Sequence, residues 1–359
     1  MVRPGLAYRR RVRDTPYLAV DLAVLDHNLT AMAESARARG LALRPHAKTH
    51  KCVEIARRQV ALSGGGLTLA TVAEAEVFAA AGMGDIFLAY PVIASGPRAG
   101  RLRALAERVR LRVGVDSADG AALLAAAVPG LEVLVEVDSG HHRTGVAPDR
   151  AGEVAAAART AGLEVAGVFT FPGHSYAPGE PERAAADEAA ALSKAADALR
   201  AVNIEPRVRS GGSTPTAALS ESDVLTELRP GVYAFQDAQQ AELGSTDLTD
   251  IALTAVATVV SRGPDRAVLD AGSKVLSADR PAWTTGFGRL LDHPGARVVA
   301  LSEHHATVTF DGPAPAVGER VRVAPNHVCT PVNLADELVI VDGGVEVDRW
   351  AVAARGANT

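Results

Sequence analysis

Residues 110–137, RLRVGVDSADGAALLAAAVPGLEVLVEV, set two apolar, β-branched runs, Arg110–Val115 and Leu131–Val137, on either side of an alanine- and leucine-rich stretch with helical spacing. Strand, helix, strand in that order is the unit of a parallel sheet, since the crossover helix returns the chain to the end where the next strand begins. The same alternation extends back through Asp85–Tyr90 and Gly66–Ala70 to Leu41–Arg44, and forward through Val165–Phe169 and Arg207–Arg209 to Glu227–Arg229. Eight such runs occupy about 200 residues with no doubled gap of the kind that marks a reversal of strand order, which predicts a closed (β/α)8 TIM-like barrel rather than an open sheet.

Before the barrel, Thr15–Val20 reads as a strand and Leu22–Arg39 as a helix. After about Thr249 the hydrophobic period falls to two, in Ala252–Val260, Arg266–Leu269, Arg297–Leu301, Thr307–Phe310, Arg320–Val323 and Glu337–Val341, with Gly, Pro and Asp between them. The predicted architecture is therefore α/β: a barrel over residues 20–249 and a C-terminal β-rich domain over 250–359. The β-rich domain takes in residues 1–19, because a strand with no helix ahead of it has no place in the barrel. Alanine runs such as Ala155–Ala158 and Ala184–Ala186 read as helix surface built from a strong helix former.

The 359 residues are 48% apolar, enough for a sizeable core, and disorder is not the main state. Lys and Arg number 37 against 42 Asp and Glu, a net charge of −5, and the one basic run is Arg9-Arg10-Arg11-Val12-Arg13. That is no footprint for nucleic acid. No segment approaches the ~18 uninterrupted apolar residues of a membrane-spanning helix, and a cytoplasmic protein without a membrane partner is expected. Two cysteines, Cys52 and Cys329, are too few for a disulfide framework and are expected as thiols, with Cys52 in packing.

In such a barrel the working residues stand where strands end. Here those positions carry Arg44–Lys51, Asp138–Gly145, Phe171–Tyr176, Ser210–Thr216 and Pro230–Tyr233. Lys48 stands at the end of an apolar strand, where partial burial favours a neutral amine able to form a Schiff base; a lysine reaching to solvent fits the same pattern. Ser210–Thr216 combines two glycines, hydroxyls and a proline suited to a first helical turn, so its N–H groups are candidates for a phosphate. His327 and Cys329, read on a strand, point to one face and can share a metal, for which a thiolate and an imidazole select zinc. A buried thiol beside a half-exposed imidazole is the alternative. His304 and His305 face opposite sides of a strand, which lets one of them reach the site. Asp270–Ser277 is a polar loop, either a structural turn or part of the site.

Taken together, Asp14-Thr15-Pro16, Arg44–Lys51, Ser210–Thr216, Asp270–Lys274 and Pro325–Cys329 resemble the alanine-racemase-like, fold-type III pyridoxal phosphate enzymes. More narrowly they resemble the branch with D-serine dehydratase and D-threonine aldolase. The resemblance spans essentially the whole chain. It implies a homodimer with its active sites near the subunit interface, and Lys48 as the lysine joined to pyridoxal 5'-phosphate. Arg143 then matches the arginine near the phenolic oxygen, while Gly212, Ser213, Thr214, Gly231 and Tyr233 match positions around the phosphate; Tyr176 joins them as a cofactor-binding candidate and His305 joins Lys48 as a catalytic one. Around His305 the familiar pattern is closer to Glu-Glu-His-Gly than to Glu303–Ala306.

His327 and Cys329 match a metal pair, with zinc expected and manganese or magnesium as alternatives, that receives the substrate's β-hydroxyl. The implied activity is a lyase acting on small D-amino acids. Cys329 favours the D-serine dehydratase type, which forms pyruvate and ammonia, over the D-threonine aldolase type, which forms glycine and an aldehyde. A racemase of this fold would need a tyrosine from the C-terminal domain, and none follows Tyr233. A non-catalytic cofactor carrier would comprise the barrel alone.

Overall fold

The computed structural model describes residues 13–359, so the Arg9–Val12 part of the basic run lies outside the described residues. After β1 (Tyr17–Asp21) come eight short strands: β2 (Ala42–Leu43), β3 (Leu67–Leu69), β4 (Asp85–Pro91), β5 (Arg110–Val115), β6 (Glu132–Glu136), β7 (Glu164–Phe169), β8 (Val208–Gly211) and β9 (Glu227–Leu228). All pair in parallel, in the order β2-β9-β8-β7-β6-β5-β4-β3. Beyond β2, His46 bridges Thr68 of β3 in parallel, and the Thr68 N–H donates to the Pro45 carbonyl at 2.8 Å. That contact joins the two ends of the sheet, giving the TIM-like (β/α)8 ring that the eight apolar runs predict.

The helices are α1 (Leu22–Ala38), α2 (Val53–Ser63), α3 (Val72–Ala80), α4 (Pro97–Ala106), α5 (Ala118–Ala127), α6 (Ala151–Thr160) and α7 (Pro181–Ala201). Three start on side-chain caps, with Asp21, Thr71 and Ser117 accepting the N–H of Val24, Glu74 and Gly120; such caps satisfy donors the helix itself leaves orphaned. The alanine runs are not mainly surface. Ala155, Ala158, Ala184 and Ala195 are buried completely, because small side chains on the inner face of α6 and α7 let these helices lie close against the sheet. Inside the ring Phe87, Leu134, Ala166 and Phe169 form a packed core rather than a channel.

After a short α8 (Ala238–Leu243) the chain builds β10 (Leu253–Arg262), β11 (Arg266–Leu269), α9 (Ser273–Leu276), β12 (Gly288–Leu290), β13 (His293–Leu301), β14 (Ala306–Thr309), β15 (Arg320–Pro325), α10 (Cys329–Leu334), β16 (Glu337–Asp342) and β17 (Val345–Ala351). These strands and β1 form one sheet, in which β1 lies antiparallel to β10 and parallel to β16. The first strand of the chain thus pairs with the last sheet.

A shared core of Leu25 and Leu29 from α1, Ile55 from α2, Val232, Phe235, Leu253 and Ile340 packs barrel and sheet together. Cys52 lies in it, its thiol pushed up to about 12 by burial, which makes it inert at neutral pH. Both cysteines are free. Among the described residues no helix is long and apolar enough to cross a membrane.

Candidate active site

The strand ends of the barrel meet the turn after β15 around one cavity of about 630 Å³, lined among others by Lys48, Tyr176, Ser213, Gly231, His327 and Cys329. Lys48 sits on a single 3-10 turn, Ala47–Thr49, directly after β2, with its Nζ 5.8 Å from the centre of the Phe171 ring. Arg143, on the exposed loop after β6, stacks over the same ring at 5.1 Å. It is not among the residues lining the cavity, so Phe171 is what links it to Lys48. Burial, followed by the Lys48 and Arg229 cations, holds the His46 imidazole well below its usual range and therefore neutral.

The loop after β8 is set by its own hydroxyls. Ser213 Oγ lies 2.9 Å from Ser175 Oγ and 3.0 Å from Thr216 Oγ1, and Thr214 Oγ1 accepts the Tyr233 N–H at 3.1 Å. At Gly231 a Cβ would meet Thr49 Oγ1 at 2.8 Å, so glycine keeps the rim open there. Two expectations need correction. Residues 214–219 form turns and no helix follows, so no helix N-terminus serves this loop. The Gly212 N–H donates to Glu188 Oε1 at 2.6 Å, away from the cavity. Gly212 (φ +84) instead supplies a backbone angle that favours glycine. Tyr233 also differs: its hydroxyl accepts from Gln59 Nε2 at 3.1 Å in the core, and only its backbone N–H faces the loop.

Tyr176 lines the cavity beside Thr214, its hydroxyl kept protonated by burial and then by the Asp237 and Cys329 charges. His305 is an exposed residue of the turn between β13 and β14, as is His304. Strand alternation does not apply in a turn, and His305 is not among the residues lining the cavity.

His327 and Cys329 are not on a strand either: β15 ends at Pro325 and Cys329 opens α10. The turn between them nonetheless brings both side chains to the cavity. His327 Nδ1 is 3.1 Å from the carboxylate of fully buried Asp237, which also accepts the Gln240 N–H at 2.9 Å as the cap of α8. Burial works against charge on both site residues, yet each stabilises the other's ion: the Cys329 thiol is lowered, and the His327 imidazole is raised by the thiolate and by Asp237. An imidazole oriented through Nδ1 keeps Nε2 for a ligand, the usual arrangement of a metal-binding histidine. Among the described residues no third His, Cys, Asp or Glu completes a cluster, so the remaining positions on a metal fall to substrate or water. The donor set fits zinc. Lys48, Ser213 and Gly231 line the same cavity, a set that fits a phosphorylated aldehyde cofactor.

Comparisons with known proteins bear on this arrangement. Residues 20–239 match the alanine racemase N-terminal domain, and residues 252–341 match the putative serine dehydratase domain. The chain belongs to the alanine-racemase-like, fold-type III family. It is similar to the D-threonine aldolase of an Arthrobacter species, 37% identical over 96% of this chain and 93% of the relative. It is also similar to the D-threo-3-hydroxyaspartate dehydratase of Delftia sp. strain HT23, 37% identical over 88% and 91%. Among solved structures, a cysteine-to-alanine variant of a D-threo-3-hydroxyaspartate dehydratase in its metal-free form superposes with a TM-score of 0.87 at 33% identity, covering 95% of this chain and 97% of that one.

Sequence reasoning missed Asp237, which lies 90 residues from His327 and reads locally as nothing more than a helix cap. It missed Arg229, Gln239 and Arg280 as lining residues too. Asp237→Asn preserves the cap while weakening the acceptor behind the ring, so zinc affinity by competition with a chromophoric chelator should fall about 10- to 100-fold. Unchanged affinity would disconnect Asp237 from the metal.

Proposed function

We propose that this family member is a pyridoxal phosphate- and metal-dependent lyase acting on D-β-hydroxy-α-amino acids, of the dehydratase type. One observation carries the reading: Lys48 and the His327/Cys329 pair, some 280 residues apart in the chain by their numbering, line the same cavity. A racemase or a carrier has no use for that pair.

Bound pyridoxal phosphate would supply an electron sink for charge developing at the substrate's Cα. Lys48 holds it, with Ser213 and Gly231 at the loop side. Once its amine is free, Lys48 takes the α-proton. His327 and Cys329 would hold a metal, which would supply Lewis-acid polarisation of the β-hydroxyl, and Asp237 keeps the His327 ring in place. With the Cα–H and Cβ–O bonds broken, water leaves and hydrolysis yields a keto acid and ammonia.

The aldolase reading uses the same residues with the Cα–Cβ bond breaking instead, and the Arthrobacter relative supports it. Product analysis separates them. Purified protein loaded with cofactor and zinc is expected to convert D-serine to keto acid and ammonia; glycine with acetaldehyde from D-threonine, and no keto acid from D-serine, would make it an aldolase. A homodimer is part of the proposal, to be checked by sedimentation.

A further inference from the structure

Three cationic side chains besides Lys48 and the histidines bear on the site, and they are placed differently. Arg143 lies outside the cavity lining. Arg229 is buried, donating at 2.6 Å both to Ser210 Oγ and to the Thr170 carbonyl. Arg280 differs: it lines the cavity and is exposed, and among the described residues it makes neither an ion pair nor a hydrogen bond. Its guanidinium rests 5.1 Å over the Phe287 ring, which limits where it can go.

The loop that carries it is held from both sides. The Asp279 N–H donates to Ser277 Oγ at 2.9 Å, and Asn326, next to His327, donates through Nδ2 to the Asp279 carbonyl at 3.1 Å. On the barrel side, Trp283 Nε1 donates to the Tyr176 carbonyl at 3.2 Å. The carboxylate beside Arg280 is also occupied, since Asp279 accepts the Thr330 hydroxyl at 2.8 Å. A guanidinium on a tethered loop thus lines the cavity, and a planar fork suits a carboxylate.

Resting on the lyase reading above, we infer that Arg280 binds the α-carboxylate of the amino acid substrate. Every α-amino acid brings this anion into the cavity, and Arg280 is, Lys48 apart, a lining cation with no ion pair or hydrogen bond to give up among the described residues. It fixes the substrate on the metal side of the cavity, as a positioning residue rather than a participant in bond breaking.

The test follows the visible spectrum of the cofactor-loaded protein during titration with two amines. D-alanine carries the carboxylate and no β-hydroxyl; ethanolamine carries no carboxylate. Arg280→Ala should weaken D-alanine about 10- to 100-fold, the loss of one charge-assisted contact, while ethanolamine stays within about twofold and Arg280→Lys falls between. Equal D-alanine affinity in wild type and Arg280→Ala would overturn the inference, as would equal weakening of both amines. A wild-type protein with no cofactor band at all would instead defeat the underlying lyase reading.

Discussion

Replacing Lys48 with alanine should erase the visible absorbance of the lysine-bound cofactor and lower turnover by about 10⁴-fold, the upper range for removal of a general acid–base group. The side chain's amine lies over the Phe171 ring, so the change removes an amine and little packing. The melting temperature should hold, and the cofactor that remains should dialyse away. Lys51, three residues on in the same motif, is the natural control. It is buried, and its Nζ contacts Glu74 at 3.2 Å, Asn333 Oδ1 at 2.7 Å and Asn358 Oδ1 at 3.0 Å. Lys51→Ala leaves the Glu74 carboxylate buried and unpaired, which costs about 3–5 kcal/mol in stability. One lysine therefore controls the spectrum and the other the melting temperature. A Lys48→Ala protein that kept its band and turned over within tenfold of wild type would remove Lys48 from the role.

The fold was legible because its signal is local and repeated. Eight apolar runs separated by helices leave few topologies for a parallel sheet, and each run appears as a strand within a residue or two of its predicted ends. Closure was the harder step. It rests on backbone contacts between Pro45, His46 and Thr68, which no periodicity reveals. The alanine runs misled for a related reason: helical propensity says that a helix forms, whereas whether its small face meets water or a sheet depends on residues elsewhere in the chain.

The site was legible where chemistry is written in a short motif. Lys48, His327 and Cys329 stand out by residue type, and the structure brings them to one cavity even though the strand assumed for the latter pair ends at Pro325. Residues that act through distant partners were not legible. Asp237 looks like a helix cap until the fold places it behind His327, and Arg280 looks like a loop arginine until its neighbours prove to be engaged elsewhere. Tyr233 shows the converse, since a side chain at a matching position turns into the core and leaves its backbone N–H to serve the loop.

Removing the metal should separate the two halves of the chemistry. Dialysis against a chelator is expected to leave the cofactor's absorbance intact, because Lys48, Ser213 and Gly231 belong to the barrel, while the pair presented by the β-rich sheet loses its ion. Polarising a hydroxyl so that it departs is worth several kcal/mol of Lewis-acid stabilisation; at about 1.4 kcal/mol per factor of ten, turnover of β-hydroxy substrates should drop on the order of 10³-fold. Zinc should restore it. In His327→Ala, zinc should not, since a lone thiolate from this chain cannot orient the ion. Cys329→Asp replaces a soft sulfur with a hard oxygen at a position that still faces the cavity, so whatever activity returns should favour manganese or magnesium over zinc. Full turnover by the metal-free protein would sink the assignment of His327 and Cys329, leaving the barrel reading untouched: the chain would then be a cofactor-dependent enzyme whose cysteine–histidine pair serves another purpose.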